Sequence, residues 1–439
     1  MLTTLKNAFK VKEIRKKLLF TFAMLLVIRF GCQLPVPGVN REYFAQWFAQ
    51  QTGGAFSFFD AFTGGSFLSM SVFALNITPY ITSSIIMQLL TIAIPKLEEM
   101  QRDGEDGRKK IQNITRYVTV ALALLEATVM VIGFGNQGLL QQYNALNVIT
   151  AITALTAGSA FLMWIGERIT EKGVGNGISI ILVINIISRM PQEISGLFEQ
   201  FVIGKKVAIA VVAAVIIIAV IVGMTVLVVI LNGGVRKIPV QYAKKVQGRK
   251  MVGGQTTNIP LKVNTAGVIP IIFASSIMQL PIIISSFAKY SGTGVWAEIL
   301  KVLNSGYWCK FKAGQWYYSI GLLVYVVLVV FFAYFYTSIT FNPLEISENM
   351  KRQGGFIPGI RPGKPTSDYL TKVLNYIIFI GAVGLTIVGV LPFFFNGIFN
   401  TSVTFGGTSL IIVVSVVLET MKQIESQMLV RNYKGFLND

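Results

Sequence analysis

The chain has 439 residues, of which 53% are hydrophobic and 13% charged, and its formal net charge is +18. A mean hydropathy of +0.63 excludes a soluble globular domain and marks an integral membrane protein. With no histidine and only two cysteines, the chain offers no histidine-dependent hydrolysis, no HExxH zinc chemistry and no disulfide framework.

Apolar runs of roughly 17 residues or more, the span of a bilayer core, follow one another along the chain. The first, 18–34, comes after the basic stretch Lys6 to Lys17. That pairing looks like the opening of a signal peptide, but no small-residue cleavage site follows, so a retained first helix is expected. Arg29 lies about one turn from its outer end, where snorkelling to the interface is expected. Residues 55–70 are apolar but broken by Gly64-Gly65, a pattern that suits a short mobile half-helix too small to span.

The second run, 70–94, holds Pro79, and the third, 115–135, holds Glu126 near its middle. An ionised carboxylate there is costly and must face water or a partner. Three roles are open to it: a polar contact between moving helices with Thr82, Gln88, Ser276 and Gln279 as candidate partners, a proton relay, or an inert water-facing position. The fourth run, 147–166, leads into Gly173-Val174-Gly175-Asn176-Gly177, which lacks the lysine of a phosphate-cradling loop and opens the short fifth run, 177–190. The sixth, 207–231, precedes a basic Gly/Pro-rich loop, 232–262. The seventh, 266–287, holds Pro270. The eighth, 317–341, precedes a second such loop, 342–370, and 371–391 and 403–421 complete ten spans. All five aspartates (Asp60, Asp103, Asp106, Asp368, Asp439) fall outside these spans, so no paired intramembrane aspartate site can be built. Cys32 and Cys309 are expected to be core-like free thiols near the outer face.

An internal duplication relates the two halves. Pro79 to Leu89 and Pro270 to Leu280 agree at seven of eleven positions at an offset of 191 residues. A second echo sets Gly177-Ile178-Ser179-Ile180-Ile181-Leu182-Val183 against Gly407-Thr408-Ser409-Leu410-Ile411-Ile412-Val413. Five spans per half force the second half in with opposite orientation, which predicts an all-α integral membrane protein of ten transmembrane helices in two inverted five-helix halves, 1–200 and 201–439. Pro79 and Pro270 are expected to interrupt their helices in corresponding places and point to a central pathway.

Charge sets the expected orientation. About 29 Lys and Arg lie on the side of the N-terminus and about 8 on the other, which places both termini in the cytoplasm by the positive-inside rule. The loops 232–262 and 342–370 are longer than a helix connection needs. They read as docking surfaces for a large acidic or anionic partner.

The runs Asn76-Ile77-Thr78-Pro79-Tyr80-Ile81 through Gln88-Leu89-Leu90, and Trp164-Ile165-Gly166-Glu167-Arg168-Ile169-Thr170-Glu171-Lys172 through Ser179, resemble the two signatures of the SecY family. Leu34-Pro35-Val36-Pro37-Gly38 and Phe356-Ile357-Pro358-Gly359-Ile360-Arg361-Pro362-Gly363 are similar too. The resemblance implies a ten-helix clamshell around an hourglass pore that passes unfolded secretory chains and releases hydrophobic segments sideways into membrane lipid. It implies a pore ring of Ile77, Ile81, Leu182, Ile186, Ile272 and Ile412. It implies a plug including Phe62, Gly64, Gly65, Ser66, Phe67 and Leu68. Its lateral gate would include Thr82, Gln88, Glu126, Ser276 and Gln279, and its partner-binding loops Arg236, Lys237, Lys244, Lys245, Arg249, Lys250 and Arg361.

No catalytic residue, cofactor or metal is expected. The implied partners are SecE and SecG-type small membrane subunits, the SecA ATPase, the ribosome, and signal peptides with the unfolded chains they lead. The implied location is the bacterial cytoplasmic (inner) membrane, multi-pass. A secondary transporter for a small solute would also use inverted repeats, but it should converge ionisable groups at the midplane, and the echoed positions are Ile, Leu, Met, Ser and Gln.

Overall fold

The computed structural model describes residues 9–50, 63–203, 207–242, 245–247, 250–252, 256–287, 294–309, 316–399 and 407–435. Its helices are α1 Lys12–Gly31, α2 Arg41–Gln50, α3 Thr78–Ala93, α4 Pro95–Arg102, α5 Glu105–Phe134, α6 Ala145–Lys172, α7 Gly177–Phe201, α8 Val207–Gly233, α9 Ile269–Phe287, α10 Val295–Leu303, α11 Ile320–Thr340, α12 Pro343–Arg352, α13 Lys364–Phe399 and α14 Gly407–Gly435. Each of the ten expected spans coincides with one of them: α1, α3, α5 to α9, α11, α13 and α14. By length and composition, six of the described helices are able to cross a membrane, or seven if α3 and α4, bent by 107°, are one span.

Three expectations are corrected. The second span begins at Thr78, because residues 70–77 form consecutive turns with Met70 and Asn76 at positive φ. The fifth continues to Phe201 with Pro191 inside it, so the charges that end the apolar run do not end the helix. Pro79 and Pro270 do not interrupt helices: each is the second residue of its helix, α3 or α9. A proline in the first turn forfeits no intrahelical bond, since the N–H it lacks would be unpaired there anyway.

The chain forms two compact units. The first comprises Met1–Gly196, Ile283–Thr293 and Val416–Asp439. Its main core joins the turns after α1 to α5 and α6 through Met70, Val131, Leu139 and Leu155. A second cluster packs the last helix against the first, with Met421 and Ile424 on Ile14 and Val174, and Lys17 Nζ donates to Gln427 Oε1 (3.3 Å).

The second unit comprises Leu197–Ile282 and Gly294–Ser415. Here the two long basic loops hold structure that the sequence reading did not anticipate. Strands β1 Val235–Tyr242, β4 Thr256–Lys262 and β5 Gly355–Phe356 form an antiparallel sheet in the order β4-β1-β5, with a hairpin of β2 Lys245–Gln247 and β3 Lys250–Val252 between β1 and β4. Register runs from Val235↔Lys262 to Gln241↔Thr256, and Gln241↔Phe356 ties the first loop to the second. Side chains alternate across β1. Ile238 and Val240 point inward onto Leu261, Met350, Ile357 and Leu370 and Lys237 outward, while Arg236, on the inward face but near the strand's start, is also exposed. Asn342 caps α12 by accepting from Leu344 N (3.2 Å) and Glu345 N (3.4 Å).

Candidate functional site

The two repeats start their helices at equivalent residues. Helix α3 starts at Thr78 and α9 at Ile269, the 191-residue offset of the first echo, while α7 starts at Gly177 and α14 at Gly407, the offset of the second. Ile81 and Ile272 are therefore each the fourth residue of their helix, and Leu182 and Ile412 each the sixth.

In the first unit Ile77, Leu182 and Ile186 are buried and Ile81 is half-buried. Leu182 and Ile186, four apart, share one face of α7. Gly166 makes room for α7, since a Cβ there would lie 3.2 Å from Ile178 Cγ1 and 3.3 Å from Ile181 Cδ1, with Ile77 Cδ1 in ordinary contact at 3.5 Å. In the second unit Ile272 is half-buried and Ile412 buried.

A polar network underlies the first unit's aliphatic pairs. Arg29 Nη1 donates to Asn185 Oδ1 (3.3 Å), Asn185 Nδ2 donates to Asn76 Oδ1 (3.1 Å), and Ser159 Oγ donates to Asn76 O (3.0 Å). Both asparagines are 1% exposed, so without these bonds each would be buried at a cost. The Asn76–Asn185 bond fixes the start of α3, with Ile77 and Ile81, against the middle of α7, with Leu182 and Ile186. Asn76 holds φ +52°, a left-handed conformation that asparagine tolerates better than most residues. Arg29 has a protein partner that its place near the helix end did not reveal: its guanidinium turns to Asn185. The sequence reading missed Asn76 and Asn185 as functional positions, although a lone asparagine amid Ile181-Leu182-Val183-Ile184 and Ile186-Ile187 was a signal.

Gly64 sits against this network. A Cβ there would come within 2.9 Å of Asn185 Cα and 3.0 Å of Arg29 Nη1, and its φ of +65° already disfavours side chains. Gly65 follows at φ +85°. Of the expected half-helix over 55–70, residue 63 is helical, residues 64–70 form turns, and residues 55–62 lie outside the described residues. The left-handed glycines break the helical path, and the Ser69 and Ser71 hydroxyls take carbonyls of Gly65 and Ser66 (2.9 and 3.3 Å). Ser66 is buried, Phe67 and Leu68 are half-buried, and Phe67 packs edge-on to Phe44. Phe62 lies outside the described residues.

Of the gate positions, Thr82 is half-buried and Gln88 exposed on α3, and Glu126 is half-buried on α5, which packs against α3. Within its unit, Glu126 has no hydrogen bond or ion pair among the described residues, so the expected bond to Thr82 or Gln88 is not formed. On α9, Ser276 is exposed, and the side chain of Gln279 lies outside the described residues.

Of the basic positions, Arg236 and Lys237 are exposed on β1, the side chains of Lys245 and Lys250 lie outside the described residues, and Lys244 and Arg249 do so entirely. Arg361 is exposed on a turn held by Gly359 at φ +82° and Gly363 at φ +98°. Its carbonyl accepts from Thr366 Oγ1 (2.8 Å), and Ser347 Oγ donates to Gly363 O (2.7 Å).

The family model for SecY matches residues 71–421. The chain belongs to the SecY family. Over 457 aligned residues it is 42% identical to the Protein translocase subunit SecY of Mycobacterium tuberculosis, covering all of both chains. Its fold is similar to a structure described as that of a protein conducting channel (TM-score 0.62, 20% identity, 95% of this chain and 94% of that one). It is also similar to Sec61 in the canine ribosome-channel complex from the endoplasmic reticulum (TM-score 0.56, 19% identity, 95% and 94%).

In this SecY-family chain the second signature tract forms a packed joint between α6 and α7. A Cβ on Gly177 would run into Gly166 O, and one on Gly173 into Thr21 Oγ1. Several N–H groups of the tract are already taken. Val174 N donates to Thr21 Oγ1 (3.2 Å), Gly177 N to Thr170 Oγ1 (2.9 Å), and Ile178 N and Ser179 N to Asn176 Oδ1 (3.1 and 3.4 Å). Glu167, in the same tract, pairs with Arg116 (2.8 Å) and accepts from Gln112 (3.3 Å), which locks α6 to α5.

Proposed function

We propose that this chain is the channel-forming subunit of a bacterial protein translocase, and not an enzyme. It passes unfolded secretory polypeptides across the cytoplasmic membrane and releases their hydrophobic segments sideways into lipid. The observation that carries this reading is the equivalence of Ile81 with Ile272 and of Leu182 with Ile412 at matching depths of their helices. Such positions, with Ile77 and Ile186, suit a constriction of aliphatic side chains. An apolar constriction disfavours water and ions by dewetting, and it offers a passing chain no group that would trap it.

The inverted halves are 1–200 and 201–439, and the residues around Gly64 are the plug, seated over Asn185. Thr82, Gln88, Glu126, Ser276 and Gln279 belong to the lateral gate. The basic loops face the cytoplasm with both termini, as the charge asymmetry favours, and receive the SecA ATPase or a ribosome, while SecE and SecG-type subunits complete the assembly. The printed description of a Sec61 relative in a ribosome-channel complex supports that choice of partner. A secondary transporter of a small solute finds no support in the family membership.

Bacteria depleted of their own channel subunit and supplied with this chain should resume export, read as processing of a secretory precursor. Persistent precursor at matched membrane levels of the chain would refute the proposal.

A further inference from the structure

Helix α10 has nine residues, less than half the roughly 20 that a spanning helix needs. It lies between two membrane helices in sequence, after α9 and before α11. At 100° per residue, its side chains divide into three sectors. Ala297 is buried against the protein. Glu298 and Lys301 form a polar sector and pair with each other (2.9 Å). Val295, Trp296 and Ile299 form an apolar sector that is 79%, 44% and 41% exposed.

Neighbouring contacts fix the rotation of the helix. Tyr318, just before α11, donates its hydroxyl to Glu298 Oε2 (2.6 Å), and Trp308 Nε1 donates to Val302 O (2.7 Å). A Cβ on Gly321, in the first turn of α11, would strike Val302 O, so α10 is seated directly on the head of a spanning helix. That helix carries its own exposed apolar residues from its first turn onward, Ile320, Leu323 and Val327 among them. Lipid covers such residues in a spanning helix, and α10, seated on the head of that helix, carries an exposed apolar sector of its own.

We propose that α10 is an interfacial anchor. Its Val295, Trp296 and Ile299 sector lies in the headgroup and upper acyl layer of the leaflet that receives the start of α11, and Glu298 and Lys301 stay on the wet side. A tryptophan beside aliphatic residues suits that layer, where one end of the side chain is apolar and the other wet. The anchor holds the head of α11 at a fixed depth through Tyr318 and Trp308.

Single cysteines at Val295→Cys, Ile299→Cys and Glu298→Cys, each carrying an environment-sensitive fluorophore, test this in the full chain. The chain is reconstituted in phosphatidylethanolamine and phosphatidylglycerol vesicles containing acyl-brominated lipid. The chain without an added cysteine measures background labelling, because Cys32 and Cys309 are buried. Labels at 295 and 299 should be blue-shifted, quenched by the brominated lipid and shielded from aqueous iodide, and the label at 298 should show the reverse. Equal iodide access at all three positions would overturn the proposal. Iodide shielding at 295 and 299 without lipid quenching would also overturn it, since a protein surface or a second copy would then cover the sector.

Discussion

Asn185 makes two bonds at once, accepting from Arg29 and donating to Asn76, at a point in α7 where the surrounding residues are aliphatic. Asn185→Ala removes both, taking one partner from the Arg29 guanidinium and one from the buried Asn76 amide. The expected cost is on the order of 1–3 kcal/mol, read as a lower midpoint in detergent unfolding, whereas Asn185→Asp should keep the Arg29 bond and lose less. An unchanged midpoint for the alanine variant would show that water replaces the network. Ile81 and Ile272 are argued from their register rather than from bonds. Replacing both with Ser or Gly should wet the constriction and raise the conductance of idle channels in planar bilayers, and unaltered resting conductance would remove these residues from the ring. The aliphatic positions were legible in the sequence because a repeat exposes them by identity of offset. The partner of Arg29 was not legible, because a single charge near a helix end gives no sign of which residue, 156 positions away, will meet it.

At the scale of elements, the ten spans were legible because apolar length is a bulk property that a few polar residues do not disturb. Turns 70–77 were not, because a turn buried among Phe73, Ala74 and Leu75 has the same composition as a helix. The sheet escaped for another reason: β5 has two residues and its partner β1 lies in the other loop, so no local alternation reveals the pair. That pairing makes the two basic loops one module, from which Arg361 projects on a glycine-bounded turn. Because an arginine fork pairs with carboxylate or phosphate in a way that lysine does not, Arg361→Lys should insert and fold normally yet strongly slow motor-driven translocation into vesicles. Lys351→Arg and Lys364→Arg should change little, and a wild-type rate for Arg361→Lys would reduce the loop to a topological signal. Outside the membrane spans, the Tyr318 hydroxyl and then Lys301 hold the Glu298 carboxyl below its ordinary range. A lowered carboxylate stabilises the fold above its unfolded value and loses that contribution as pH falls through its folded value. Seating of α10 should therefore be full at neutral pH and loosen only below about pH 4. Glu298→Gln should abolish that acid transition in a fluorophore attached at 295.

For the whole molecule, the +18 charge and the basic loops favour one orientation, and that orientation gives Glu126 its meaning. A carboxylate midway along a spanning helix, without a partner in its unit among the described residues, favours whichever arrangement of the halves hydrates it. Glu126→Leu or Gln should shift the closed–open balance and change how hydrophobic a signal must be for export. Reporters of graded signal hydrophobicity with an unmoved threshold would separate Glu126 from gating. The contact between Lys17 and Gln427 spans 410 residues of chain, and Ile14 meets Met421 and Ile424 in the same place. At a synthesis rate of about 5–20 residues per second, the first helix waits roughly 20–80 seconds for the segment that covers it. Until then the nascent N-terminal unit presents an unfinished apolar surface around Ile14 and Val174.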